Sequence, residues 1–212
     1  YNSKFIQTLI FFFISFIVVL ISIFIAYYSK DNWLVITDYI KTKLPIFISN
    51  DANCAAIAEY EFVDKKMFSD YIFVTVGTGI GGGIILNGSL YNGSTGTAGE
   101  IGHMVIDKDG IECNCGRRGC FEKYASVSAL LKLTNLENLD EVFYLAEKNN
   151  SIQNVVNTYI ENLAEGLANV VNIYDPEMLV LGGGLVKFEE NFMYKLKYET
   201  GKNAYTVSPE NY

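Results

Sequence analysis

The 212-residue sequence contains one histidine, one tryptophan and three prolines, and its basic residues are too few to balance its acidic ones. Lysine and arginine together number 16 against 24 aspartates and glutamates, which gives a formal net charge of −8. The longest basic runs are the pairs Lys65 with Lys66 and Arg117 with Arg118. Because binding to nucleic-acid phosphates depends on clustered lysine and arginine, the composition argues against a nucleic-acid-binding surface in this chain.

The four cysteines are too few for the dense disulfide framework of small extracellular proteins. We therefore expect the protein in a reducing compartment, the cytoplasm, where clustered thiols serve to bind metal. Cys54 stands apart from the others in the apolar run CAAIA, which predicts a small buried side chain.

The stretch 99–122 contains the single histidine and the other three cysteines, in the spacing H-x9-C-x-C-x4-C. Structural zinc takes four nitrogen and sulfur donors in a tetrahedron. Gly116 and Gly119 can adopt the positive φ that a chain wrapped around a small ion requires. We predict a structural zinc site with the ligands His103, Cys113, Cys115 and Cys120. The alternative is a polar loop with unligated thiols.

Residues 5–28 contain no charged side chain and are long enough to cross a bilayer, which takes ~20 apolar residues in a helix. Lys4 before the run and Lys30 with Asp31 after it give too little charge bias to orient such a span. Two interpretations of the segment 1–32 stay open, a membrane span or anchor and a misread or misjoined stretch of AT-rich DNA. A buried helix of a globular domain is disfavoured, because it would carry polar positions with a period of 3.6.

From residue 33 onward, helix and strand patterns alternate. Apolar residues at helical spacing predict helices over 33–44, 52–61, 125–133, 139–148 and 152–173. Short apolar runs predict strands over 46–48, 71–76, 84–86 and 177–181. Residues 187–212 are weakly patterned. The alternation predicts an α/β domain with a mixed sheet that extends over 33–212.

Residues 77–83, with the sequence GTGIGGG, join two of the predicted strands. A strand, a glycine turn and a second strand predict a β-hairpin, which differs from the strand-to-helix turn of a Rossmann or Walker loop. From the residues alone, the glycines serve either the turn itself or the close approach of a phosphate to the backbone.

The segments NDANCAAIAE, GTGIGGGIILNG, GTAGEIGHMVID and CNCGRRGCFEKYAS follow one another along the chain. In this order they resemble the ROK family (repressor, open reading frame, kinase) of bacterial sugar kinases and sugar-responsive repressors. The resemblance implies the second lobe of the sugar kinase, actin and heat-shock ATPase fold, which is ribonuclease H-like. It also implies ATP-dependent, glucokinase-like phosphorylation of a hexose, with glucose as the first candidate and Mg²⁺ accompanying ATP.

The resemblance assigns roles to individual residues. Asp51 is implied as the general base for the sugar hydroxyl, although an aspartate here can also cap the helix that follows. Sugar contacts are implied for Asn50, Asp51, Glu100, His103 and Glu122. Nucleotide contacts are implied for Gly77, Thr78, Gly79, Gly182, Gly183 and Gly184. His103 would bind zinc through one ring nitrogen and face the sugar with the other, so that zinc is structural.

One string of the family, the first phosphate loop D-x-G-G-T, does not occur in the sequence. We therefore expect the domain 33–212 to be incomplete at both ends and the chain by itself to have little or no kinase activity. The expected partners are a hexose and ATP, without nucleic acid, in a homo-oligomer, most simply a dimer. The alternatives are a sugar-responsive repressor that has lost its DNA-binding front and a non-functional remnant.

Overall fold

A computed structural model of the chain describes residues 49–62, 68–187 and 190–205. The predicted apolar segment 5–28, the helix 33–44 and the strand 46–48 lie outside these residues. Within the described ranges, no helix has both the length and the apolar character needed to cross a bilayer.

A four-stranded mixed sheet organises the described residues. Its strands are β1 (Tyr71–Val76), β2 (Ile80–Leu86), β3 (Ser89–Leu90) and β4 (Met178–Gly183), in the order β3-β2-β1-β4. β1 pairs antiparallel with β2 and parallel with β4, with Val76 opposite Gly183. The predicted α/β class with a mixed sheet is confirmed, and both carboxyl ends of the parallel pair lie at the same edge.

Helix α1 (Asp51–Phe62) packs on one face of the sheet. Its buried apolar positions are Ala52, Ala56 and Tyr60, which recur every four residues and so form one stripe along the helix. Cys54 lies off this stripe and is exposed, so the prediction that it is buried is wrong. The apolar run CAAIA around Cys54 does not reveal which of its residues face the sheet.

The glycines of the run 77–83 have two structural settings. Residues 77–79 form the turn, whereas Gly81, Gly82 and Gly83 lie inside β2, which begins at Ile80, four residues before the predicted strand 84–86. A Cβ on Gly83 would lie 2.3 Å from Ala56 Cβ and 2.8 Å from Ala52 O. The strand glycines therefore permit the close approach of α1 to the sheet, a common reason for glycine within a strand.

We expect Gly83→Ala to lower the free energy of unfolding by about 2 kcal/mol, because the added methyl overpacks the contact between α1 and β2. Urea denaturation measures the change. The matched control is Gly184→Ala, whose Cβ would meet Val127 and Leu139 at the ordinary distances of 3.6 and 3.7 Å. Equal denaturation midpoints for the two variants would contradict the packing role of Gly83.

The remaining helices cover the other face of the sheet and its surroundings. They are α2 (Glu122–Ala125), α3 (Val127–Thr134), α4 (Leu139–Ala146), α5 (Asn150–Tyr174) and α6 (Glu190–Asn203), with 3-10 turns at Ile101–His103 and Gly184–Lys187. Helix α6 lies within the region 187–212, for which no element was predicted.

The predicted helix 125–133 begins too early, because the helical conformation is interrupted at Ser126. This residue is extended, with φ −76° and ψ 160°, and its side chain accepts a hydrogen bond from the Ala129 N–H. Ser126 thus caps α3 and separates it from the short helix α2.

The long helix α5 forms the centre of the main apolar core with the sheet and α2. Phe121, fully buried just before α2, lies against Gly166 of α5, where a Cβ would stand 2.1 Å from the Phe121 ring. The Tyr159 hydroxyl of α5 donates a 2.9 Å hydrogen bond to Ala125 O. These contacts hold the segment 121–125 against α5.

Candidate functional site

A cleft of about 410 Å³ opens where β1 and β4 end, the edge of an α/β sheet at which ligands commonly bind. It brings together eight of the predicted site residues from five separate parts of the chain. These are Asn50, Asp51, Gly77, Thr78, Gly79, Glu100, Glu122 and Gly183. His103, Gly182 and Gly184 are not among the residues that line it. The roles assigned to all of them remain predictions.

The first turn of α1 places Asn50 and Asp51 at the cleft. Asn50 Oδ1 accepts a 2.7 Å hydrogen bond from the Asn53 N–H, so Asn50 is the residue that caps α1. The alternative role of Asp51 as the cap is therefore wrong. Asp51 Oδ1 accepts a 2.9 Å hydrogen bond from the Ala52 N–H, and its second oxygen has no protein partner among the described residues. One oxygen of an exposed carboxylate is thus free to face a ligand.

The turn 77–79 forms another wall of the cleft. It is held by hydrogen bonds from the Gly77 N–H to Gly79 O, 2.9 Å, and from the Val127 N–H to Gly77 O, 2.8 Å. Thr78 is exposed, and a Cβ on Gly77 would meet no atom within 4 Å. This open backbone fits the approach of a phosphate group.

The three glycines at the end of β4 and in the turn after it, Gly182 to Gly184, differ from their predicted arrangement. The strand continues through Gly183, two residues past the predicted end at 181, and Gly183 has a φ of +96°. Gly182 packs under Phe73, whose Cζ lies 2.3 Å from where a Cβ would be. Gly182 therefore serves packing in the sheet, and Gly183 is the one that reaches the cleft.

A single 3-10 turn separates Glu100 in the cleft from His103. The turn Ile101–His103 is closed by a 3.1 Å hydrogen bond from the His103 N–H to Glu100 O. It begins after Gly99, which has a φ of +89° and packs so closely on Gly82 that a Cβ would lie 2.5 Å from Gly82 O. The closed turn therefore fixes how the backbone of Glu100 is placed relative to that of His103.

The predicted zinc ligands form a second cluster beside the cleft. One potential ligand atom from each of His103, Cys113, Cys115 and Cys120 lies within 4.8 Å of all the others. The Cys115 and Cys120 sulfurs are 3.5 Å apart, and Cys113 Sγ is 3.7 Å from His103 Nδ1. A tetrahedron with Zn–S bonds of about 2.3 Å has edges of about 3.8 Å. The donor set and its spacing fit zinc.

The thiols of this cluster differ in acidity. Burial, with hydrogen bonds that the Cys120 thiol donates to the neighbouring cysteines, raises the pKa of Cys120 to about 12. A backbone hydrogen bond from Arg117 lowers the pKa of Cys115. A metal must displace the Cys120 proton at neutral pH, so binding releases protons and weakens as the pH falls.

Glu122 joins the two sites. Its carboxylate lines the cleft, and Glu122 Oε1 accepts a 3.3 Å hydrogen bond from Cys113 Sγ. It directly follows Cys120 and the buried anchor Phe121 in sequence. A change in the cysteine cluster therefore acts directly on one wall of the cleft.

Sequence reasoning missed Thr75 in the cleft. Thr75 Oγ1 accepts a 3.1 Å hydrogen bond from the Gly81 N–H and lines the cleft beside the turn. A half-buried threonine in the otherwise apolar second half of YIFVTV was the available signal.

Comparison with known proteins bears on this arrangement. The family model described as "ROK family" matches residues 35–212. The xylose repressor of Bacillus subtilis is 34% identical over 177 residues, which cover 81% of this chain and 46% of the repressor. The glucokinase of Halalkalibacterium halodurans is 33% identical over 178 residues, which cover 74% of this chain and 54% of the glucokinase.

The fold is also found in solved structures. The crystal structure of a ROK family glucokinase from Streptomyces griseus in complex with glucose and AMPPNP superimposes with a TM-score of 0.67 at 29% identity. The match covers 77% of this chain and 60% of that one, and it confirms the predicted sugar kinase and actin-like ATPase fold. This chain spans about half the length of the curated relatives it matches. With the family model matched over most of its residues, the chain belongs to the ROK family.

Proposed function

We propose that this chain forms the sugar- and phosphate-binding cleft of an ATP-dependent hexose kinase of the glucokinase type. The observation that carries the proposal is the meeting of Asp51, Glu100, Glu122 and the turn 77–79 in one cleft. The similarity to a glucokinase that binds glucose and AMPPNP supports it. Glucose is accordingly the first substrate to test.

In this proposal Asp51 is the general base. The free oxygen of its carboxylate accepts the proton of the attacking sugar hydroxyl, a role that needs a base within hydrogen-bond reach. Asn50, Glu100 and Glu122 hold other hydroxyls, since carboxylates and amides suit vicinal polyols. His103 contributes its Nε2, because its Nδ1 faces Cys113.

The nucleotide side of the cleft is assigned to the glycine turns. The backbone of residues 77–79 would hold phosphate oxygens, and the segment 182–184 would lie along the adenosine, with Gly183 at the cleft. ATP with Mg²⁺ supplies the phosphoryl group when bound. Zinc on the four-residue cluster is structural and holds the loop that carries His103 and precedes Glu122.

A sugar-responsive repressor is the second candidate, and the 34% identity to a xylose repressor favours it. In a repressor the same cleft would bind a sugar without transferring a phosphoryl group. Either function fits the cytoplasm, where the four free thiols stay reduced. The expected homodimer remains an untested prediction.

Sugar binding tests the shared part of both candidates. We expect Glu100→Gln and Glu122→Gln each to weaken glucose binding about tenfold or more, because a hydrogen bond to a charged group contributes about 1.5–3 kcal/mol. Isothermal calorimetry on the chain measures the affinity. The matched control is Glu137→Gln, an exposed glutamate outside the residues that line the cleft.

Two outcomes separate the candidates. Release of ADP with glucose, by a protein that carries this sequence together with a D-x-G-G-T loop, supports the kinase. Xylose or glucose binding without ADP release supports the repressor. Unchanged glucose affinity in both glutamate variants would contradict the assignment of the cleft to sugar.

A further inference from the structure

The segment 107–111, which leads into the cysteine cluster, is held by hydrogen bonds rather than by packing. Ile111 lies two residues before Cys113, and its side chain is 47% exposed. Its backbone N–H donates to the Tyr124 hydroxyl, 2.8 Å, and its carbonyl accepts from the Gly119 N–H, 2.8 Å. These two bonds hold Ile111 itself, and Arg118 holds its neighbours by donating to Gly110 O at 3.0 Å and to Glu112 Oε1 at 2.6 Å.

The Tyr124 hydroxyl makes two contacts with this segment. It accepts the hydrogen bond from Ile111 and donates one of 3.1 Å to Asp107 Oδ2. The other oxygen of Asp107 accepts from the Asp109 N–H, 3.2 Å, and so closes the turn between them. Gly110 passes directly over the hydroxyl, since a Cβ there would lie 1.8 Å from it. Side-chain bulk at residue 110 is incompatible with this contact.

Tyr124 belongs to α2, the helix that begins at Glu122, two residues after Cys120. Its hydroxyl thus connects the chain entering the cluster, before Cys113, with the chain leaving it, after Cys120. A second contact closes the loop just before Cys120, where the Gly119 N–H donates to Ile111 O. In this arrangement the Cys113 and Cys120 sulfurs lie within 4.8 Å of each other.

We propose that Tyr124 is a positioning residue for the metal cluster, acting through Ile111 and Asp107 and without contacting the metal. The inference rests on the zinc site of the proposed function. An ordered loop presents its sulfurs at metal spacing before binding, so less ordering is needed when the metal binds. Outer partners of metal ligands typically affect affinity 10–100-fold, and Tyr124, one step further away, is expected to act at about tenfold.

The test compares Tyr124→Phe with Tyr144→Phe, a matched control whose ring lies exposed on α4 next to Lys148. Zinc affinity is measured by competition with a chromophoric chelator. We expect Tyr124→Phe to lose affinity about tenfold and Tyr144→Phe to match the wild type. Cobalt substitution gives a second readout: the thiolate-to-cobalt absorption should keep its full intensity in Tyr124→Phe, because all four ligands are intact.

A second pair of variants tests the same contact from the other side. Asp107→Asn retains one oxygen, which can accept from Tyr124 when the amide turns it that way, whereas Asp107→Ala removes both acceptors. We expect the asparagine to preserve zinc affinity and the alanine to lower it. This pair also decides the matter if Tyr124→Phe does not fold.

The results distinguish the inference from the proposal beneath it. A wild-type chain that binds no zinc would overturn the metal site and the role of Tyr124 together. Tight zinc binding by the wild type with equal affinity in Tyr124→Phe and Asp107→Ala would overturn the role of Tyr124 alone. A loss of cobalt–thiolate absorption in Tyr124→Phe would make the tyrosine a structural requirement for the ligands and would also contradict the inference.

Discussion

Asp51→Asn is expected to lower the kcat of phosphoryl transfer by about 10²–10⁴-fold, the usual contribution of a positioned general base. Hexose affinity should stay within a few-fold of the wild type, because the asparagine amide still offers the sugar a hydrogen-bonding group. The exchange removes the basic carboxylate and little else. Its effect therefore reports proton transfer rather than binding.

The local structure allows this exchange without loss of the hydrogen bonds at the start of α1. Asn50 caps α1, so the helix keeps its cap when Asp51 changes. An amide oxygen at residue 51 can still accept the hydrogen bond that the Ala52 N–H donates to the carboxylate. The matched control is Asp140→Asn, because Asp140 also lies in the first turn of a helix, α4, outside the residues that line the cleft.

A coupled ADP-release assay measures turnover in a protein that carries this sequence together with a D-x-G-G-T loop, and calorimetry measures glucose binding. An Asp51→Asn variant that turns over at the rate of Asp140→Asn would show that another group takes the proton. Equal loss of turnover and of glucose affinity would make Asp51 a binding residue instead.

Local sequence patterns predicted a helix or strand well where the same hydrophobic pattern continues along the whole element. Strand β1 has the predicted bounds, and α5 extends the predicted 152–173 by two residues at its start and one at its end. A buried apolar run and a long helical stripe can each be recognised from residues that are close together in the sequence. The hydrophobic pattern alone is then sufficient.

Patterns failed where the deciding contact is distant. The run 77–83 mixes a turn with a strand that contacts Ala52 and Ala56, more than twenty residues away in sequence. Ser126 interrupts a helical pattern by capping the next helix, and exposed Cys54 resembles its buried neighbours in composition. A glycine or a small residue has the same appearance in sequence whether it forms a turn or permits close packing.

The candidate site divides in the same way. Residue types and spacing predicted the cysteine cluster, because four soft donors within eighteen residues can meet by local folding alone. Predicting the cleft required the family resemblance, since it joins residues 50 and 183, which are far apart in the sequence. Neither the residue spacing nor the resemblance indicated that Glu122 contacts both sites, or that the Tyr124 hydroxyl bonds to the chain before Cys113. The domain bounds 33–212 and the nature of the segment 1–32 remain predictions.

Cys115→Ser is expected to lower zinc affinity by about a hundredfold. Structural zinc contributes about 10–16 kcal/mol in small zinc-binding peptides, which is about 3 kcal/mol for each of four ligands. A hydroxyl replaces the thiolate at nearly the same size, so the exposed loop keeps its backbone hydrogen bonds. Metal analysis after dialysis against a chelator measures the loss. The matched control is Cys54→Ser, an exposed cysteine outside the cluster.

The same variant decides whether the cluster supports the cleft. Because the zinc ligand Cys120 lies two residues before Glu122, which lines the cleft, loss of zinc should leave this wall less ordered and weaken glucose binding in Cys115→Ser and in chelator-treated wild type alike. Cys54→Ser should bind zinc and glucose as the wild type does. Zinc content equal in the two serine variants would contradict the ligand set, whereas lost zinc with unchanged glucose affinity would separate the loop from the sugar site.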